Sequence, residues 1–142
     1  MTKSILLDTG PLGKIAHPRP NPEAAAWLKR VVASGALVIL PEIADYELRR
    51  NLLREGLQSS LKRLDELKEL LLYMPLTTRI MNQAAEFWAV ARKQGKPRAA
   101  PEALDGDAIL AAQAYDAGAV IATENVSHFW DFVEAKHWRE IK

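Results

Sequence analysis

Short apolar runs separated by helical stretches constrain this chain more than any other feature of its sequence. Ser4 to Leu7 reads as a buried strand that stops at Asp8. Leu37 to Leu40 reads as a second, with Pro41 at a position suited to the first turn of a helix. Ala119 to Ala122 reads as another buried strand, and Tyr73 to Leu76 as a short one whose Pro75 argues for a sheet edge. Between them fall helices over Glu23 to Ala33, after Pro41, over Leu57 to Leu72, over Thr78 to Gln94 and from about Asp105 to Ala117, where Gly118 suits a C-terminal cap. Strands alternating with helices, with a helical hairpin in the middle, predict an α/β fold with a mostly parallel sheet covered on both faces.

With 142 residues and 49% hydrophobic content, the chain can bury one sizeable core, so a single domain over 1–142 is expected. Leu57, Leu61, Leu64, Leu67 and Leu71 form a helical stripe, with Lys62, Asp65, Glu66 and Glu69 outside it and Lys68 within it. Core packing is its plainer meaning, and a dimer or partner surface the alternative. The aromatic tail Phe129, Trp130, Phe132 and Trp138 is expected to pack back on the domain.

The net charge is only +1, so affinity for nucleic acid requires a local basic patch. There are no cysteines, which removes disulfides, thiolate catalysis and Cys-based zinc sites. The apolar run Ile5-Leu6-Leu7 is far too short for a signal-peptide core and no later stretch approaches a membrane span, so a cytoplasmic protein with no membrane association is expected.

Four short acidic points are scattered along the chain, most of them where a strand runs out into a helix: Asp8, Glu47, Asp105 with Asp107, and Glu124-Asn125. In an open α/β sheet, ligand sites form beyond the carboxyl ends of the parallel strands, so acids distant in sequence can meet there. A converged carboxylate cluster calls for a hard cation such as Mg²⁺ and points to phosphate chemistry. Each acid also has a plainer reading. Asp8 suits a helix N-cap. Glu47 is bracketed by Ile43 and Ala44 at about 100° per residue, which turns it inward, although a surface ion pair with Arg50 is open to it. Asp107 lies in the expected first turn of its helix, on a stripe with Ala111, Ala114 and Gly118 that allows close approach to the sheet; there the helix dipole would favour its ionised form. Asp105 fits an N-cap better than a second ligand. Thr123 or Asn125 could hold a metal-bound water, and an ordinary turn is the alternative.

Arg92, Lys93, Lys96 and Arg98 make a basic stretch ahead of Asp105, readable as an RNA-binding segment or as a solvated loop. Other chemistries lack their sequence signals. There is no Gly-rich phosphate loop, no second Asp two positions after Asp8, and no serine nucleophile elbow. His17, His128 and His137 show no zinc-ligand spacing and read as loop or surface residues.

Four segments in order, Leu6-Leu7-Asp8-Thr9-Gly10-Pro11-Leu12, Tyr46 to Arg50, Asp107 to Ala114 and Thr123 to Phe129, resemble a PIN-domain ribonuclease of the VapC toxin type. The likeness covers nearly the whole chain. It implies a three-layer α/β/α sandwich and a metal-dependent endoribonuclease that cleaves RNA with metal-activated water, acting as the toxin of a toxin-antitoxin pair. It also implies Mg²⁺ or Mn²⁺ as cofactor, a small antitoxin partner and a homodimer. The roles of first, second and third acid fall on Asp8, Glu47 and Asp107, while Asn125 stands where many relatives have a fourth acid, with Glu124 beside it. Thr9 and Thr123 join Arg92, Lys93, Lys96 and Arg98 as expected substrate contacts. Two rival functions are a non-catalytic RNA-binding or regulatory protein of the same fold, favoured by Asn125, and a phosphatase-like hydrolase.

Overall fold

Five strands form one sheet in the order β3-β2-β1-β4-β5, and every neighbouring pair is parallel. The structure is a computed structural model that describes residues 3–94, 101–129 and 132–142. The strands are β1 (Ser4–Leu7), β2 (Leu37–Pro41), β3 (Leu72–Met74), β4 (Val120–Thr123) and β5 (Ala135–His137). The helices are α1 (Thr9–Ala16), α2 (Pro22–Ala33), α3 (Glu42–Glu55), α4 (Gln58–Leu70), α5 (Thr78–Lys93) and α6 (Pro101–Ala117). Strands bonded on both sides must bury both faces, and alternation along β1 does so. Ile5 and Leu7 point into a core built with α1, α2, α3 and α4. Leu6 points the other way, onto Leu110, Ala111 and Ala114 of α6. The result is the expected α/β/α sandwich.

The leucine stripe belongs to the core, since Leu61, Leu64 and Leu67 are buried, while Leu57 at the helix entrance is exposed. Lys68, inside the stripe, reaches Asp45 at 3.3 Å. Asp45 also accepts from Arg49 at 2.9 Å, and Arg49 reaches Asp65 at 2.7 Å, so an ion network ties α3 to α4. The hairpin turns at Gly56, whose φ of +70° closes α3 in the left-handed conformation.

Four features depart from the sequence reading. Gly10 and Pro11 do not interrupt the chain but lie in the first turn of α1, where an imino nitrogen forfeits no helical bond. Helix α6 begins at Pro101, ahead of the expected start near Asp105, so Asp105 is not its N-cap. For the same reason Asp107 falls in the second turn of α6, not the first. A fifth strand, β5, pairs with β4 at the sheet edge. Phe129 and Trp138 of the aromatic tail are fully buried, whereas Trp130 lies outside the described residues.

Candidate active site

The connection order makes a crevice. From β1 the chain moves to β2 and β3 on one side, then returns to β4 on the other, so the carboxyl ends of β1 and β4 border the point where the winding reverses. Asp8 sits there. Its backbone N–H continues the sheet by donating to the Ala122 carbonyl at 3.0 Å, and its carbonyl accepts from Leu12 N at 3.1 Å to start α1. The cap reading and the site reading of Asp8 are thus satisfied together. Its Oδ1 accepts from Thr9 N at 2.7 Å and its Oδ2 accepts from the Thr123 hydroxyl at 2.7 Å.

Thr9 links the first acid to the second, because its hydroxyl donates to Glu47 Oε1 at 2.9 Å. Glu47 is carried there by α3, whose N-cap, Pro41, has no side chain able to cap it. Gln113 of α6 supplies the missing acceptor: its Oε1 accepts from Ile43 N at 3.3 Å while its Nε2 donates to the Met74 carbonyl at 2.9 Å. A fully buried amide with both ends engaged therefore registers α3 against α6 and β3. Among the described residues Arg50 forms no ion pair with Glu47 and instead lies 5.1 Å from the Tyr46 ring centre. Asp45, which helical rotation turns away from Glu47, is nonetheless the more deeply buried acid of α3.

Asp107 arrives from α6, next to Gly106. A Cβ at Gly106 would collide with Glu47 Oε2, so any larger residue there would push the Glu47 carboxylate out of its place. Ala111 and Ala114 of the same helix pack onto the sheet. Asp105, about 200° away around the helix, is exposed beside Trp88 and Met81 of α5. Asp107 Oδ2 is buried and has no hydrogen-bond partner. His128 Nδ1 stands 3.2 Å from that oxygen, a contact at ion-pair distance that lacks hydrogen-bond geometry.

All three carboxyls are held above their ordinary values. For Asp107 burial is the largest cause, followed by the negative charges of Asp8 and Glu47, and together they push it up to about 7. Burial likewise raises Asp8, against the opposing hydrogen bonds of Thr123 and Thr9 and the charge of His128, with Glu124 raising it a little further. Burial raises Glu47, with Thr9 opposing and Asp8 adding to it. These mutual effects show that the three acids share one locality. The expectation that a helix dipole keeps Asp107 ionised is overturned: the residue lies in the second turn of α6, where that field has faded, and burial beside two like charges dominates. Among the described residues, no three acidic or histidine side chains are gathered tightly enough to hold a metal ion as they stand.

The remaining residues of interest divide. Thr123 is fully buried and ties β4 to Asp8, while also accepting from Asn125 N at 2.9 Å. Asn125 is exposed, and among the described residues its amide makes no hydrogen bond. Glu124 bends over α1, pairing with Lys14 at 3.3 Å and lying against Gly10, where a Cβ would stand 2.7 Å from its Oε1. Arg92 and Lys93 are exposed at the end of α5, with Arg92 5.6 Å from the Trp88 ring centre, and neither contacts the acids among the described residues. Lys96 and Arg98 lie outside the described residues. Sequence reasoning missed Gly106, Gln113 and His128. A glycine inside a helical stretch was the legible signal for Gly106. Nothing in the spacing marked His128.

No curated protein matches the sequence. Among solved structures, a chain of VapBC2 from Rickettsia felis, bound to a DNA fragment from its promoter, superposes with a TM-score of 0.78 at 15% identity, covering 95% of this chain and 98% of that one. A chain of FitAcB from Neisseria gonorrhoeae gives 0.66 at 26% identity, covering 96% and 99%. The Mycobacterium tuberculosis toxin VapC20, described as cleaving the sarcin-ricin loop, gives 0.64 at 20% identity, covering 94% and 99%. At the level of sequence, the PIN domain matches residues 5–128. Because that match runs from within β1 to the turn after β4, and so takes in every element that brings an acid to the crevice, the chain belongs to the PIN-domain family.

Proposed function

We propose that the chain, acting as one PIN domain over 1–142, is a metal-dependent endoribonuclease and the toxin of a toxin-antitoxin pair. The observation that carries this reading is that Asp8, Glu47 and Asp107 border one crevice closely enough for the first two to raise the third, with a buried Asp107 oxygen left without a hydrogen-bond partner. An oxygen-only donor set of this kind suits Mg²⁺ or Mn²⁺. Like charges repel without a counter-ion, so a cation would draw the three carboxylates together. When bound, the cation would lower the pKa of a water and neutralise charge on the phosphate under attack. Thr9 and Thr123 hold Asp8 by one oxygen each, and Thr9 also holds Glu47, so two of the ligands are oriented before any cation arrives. The spare lone pairs of those oxygens remain open to it.

RNA enters the proposal through the family and through the cleavage ascribed to the Mycobacterium tuberculosis relative. Arg92, Lys93, Lys96 and Arg98 would draw its phosphates, Thr9 would line the bound strand and Asn125 would orient a water, whereas Thr123, expected from sequence to touch the substrate, is fully buried and acts only through Asp8. A small antitoxin is the proposed protein partner, by analogy with the VapBC and FitAB assemblies, and a second copy of this chain the other. Exposed apolar side chains, among them Leu53, Leu70, Leu72 and Trp88, support partner surfaces of that kind. No helix among the described residues is long and apolar enough to cross a membrane, which is compatible with the cytoplasmic location we propose.

The test is RNA cleavage with Mg²⁺ or Mn²⁺ and with a chelator. Cleavage should need the cation and should be lost in Asp8→Asn and Asp107→Asn, whose folds persist because shape is kept while a hard anionic ligand is removed. Full activity in both variants would refute the assignment. RNA binding without cleavage in the wild type would favour the regulatory reading that Asn125 supports, and hydrolysis of a simple phosphomonoester in place of RNA would favour a phosphatase.

A further inference from the structure

Among the described residues, His128 is a side chain at the crevice that an oxygen-only ligand set leaves unused. The turn Val126–His128 carries it back from β4, closed by the His128 N to Asn125 carbonyl bond at 3.0 Å and anchored by the fully buried Phe129 that follows. The ring is half-buried, and Nδ1 faces the Asp107 Oδ2 that has no hydrogen-bond partner. The nitrogen and the carboxylate oxygen stand 3.2 Å apart, at ion-pair distance but with no hydrogen bond between them. That separation does match an edge of a coordination octahedron: two neighbouring ligands about 2.1 Å from one cation lie roughly 3.0 Å apart. The exposed Asn125 meanwhile brings no charge to the corner beyond β4, and Glu124 beside it is turned onto Lys14 and Gly10.

Resting on the metal-dependent reading above, we propose that His128 is a nitrogen ligand of the same cation, in the corner that Asn125 leaves without charge, and that it biases the site toward Mn²⁺ over Mg²⁺. Imidazole nitrogen suits borderline transition metals, whereas Mg²⁺ holds to oxygen and keeps several waters. Three carboxylates and one neutral ring also confine the cation with less mutual repulsion than four carboxylates.

Pulsed electron paramagnetic resonance on the Mn²⁺-loaded full chain reads the ligand directly. The wild type should show the strong coupling of a directly bonded imidazole nitrogen, and His128→Ala should lose it. By calorimetry, His128→Ala should weaken Mn²⁺ binding roughly ten- to a hundredfold and Mg²⁺ binding by less than about threefold. A wild-type spectrum with oxygen ligands alone overturns the proposal whether or not the variant folds, and so does an unchanged Mn²⁺ affinity in a folded His128→Ala. Asp107→Asn separates this from failure of the underlying reading. If that variant also keeps full Mn²⁺ affinity, the acids are not the metal site and both inferences fall; if it loses affinity while His128→Ala does not, only the histidine ligand falls.

Discussion

Asp107 concentrates the chemistry of this molecule into one side chain. Its carboxyl is raised from 3.8 to about 7, so between those values the folded, metal-free chain holds a proton that the unfolded chain has released. Stability from this group is therefore fully present below about pH 3.8 and is lost as pH rises toward 7; burial gives Asp8 and Glu47 the same sign. Asp107→Asn removes the titration. We expect the metal-free variant to exceed the wild type by about 1 to 2 kcal/mol at neutral pH, after discounting for the solvent that reaches the group. The gap should close as pH falls toward 4. Urea denaturation at both pH values checks this, and a variant less stable at neutral pH would show that the site does not repel itself. Asp8, Glu47 and Asp107 were legible as acids because each interrupts or follows an apolar segment where a charge is expensive. The raised carboxyl of Asp107 was not legible, since it depends on burial and on two neighbours 99 and 60 positions away.

At the scale of elements, the site depends on how closely α6 can run beside α3. Gly106 leaves room between them for the mobile end of the Glu47 side chain. Gly106→Ala should therefore cost little stability, because the carboxylate can swing aside and alanine gains about 0.5 to 1 kcal/mol over glycine inside a helix. Metal-dependent cleavage should nonetheless fall at least about tenfold, as expected when a ligand is displaced from its productive position. Thermal denaturation together with cleavage rates checks both halves. Equal loss of stability and activity would mean that the glycine serves packing alone. Boundaries explain what sequence reading missed here. A good capping residue suggests a start of α6 near Asp105, but Pro101 already fits the first helical position, and the added turn puts Asp105 within the helix, exposed, and not at its cap.

For the molecule as a whole, the C-terminal segment closes the fold. Trp138 is fully buried, meets Trp27 edge to face with centroids 5.8 Å apart, and shares a core with β1 and β2; Trp27 Nε1 then donates to the Ile141 carbonyl at 2.9 Å. Trp138→Ala should cost about 3 to 5 kcal/mol, measured by chemical denaturation. Because the acids stand on β1, α3 and α6, variant protein that remains folded should retain its metal affinity. A small stability loss would show that the segment merely covers the sheet.

Periodicity carried the architecture. Apolar runs of four or five residues between amphipathic helices leave a parallel sheet covered on both faces as the arrangement that buries them, and the ends of those runs mark where acids can gather. Edge strands are weaker signals, because β5 is only Ala135–His137 and one of its faces has little to bury, so its pairing with β4 was decided by the sheet. The contacts that give the acids their properties were decided there too: Thr123 on Asp8, Thr9 on Glu47, Gln113 on the start of α3 and His128 facing Asp107. Each joins residues from different elements across a buried space. Local pattern determines which face a side chain takes, but only packing determines what it meets.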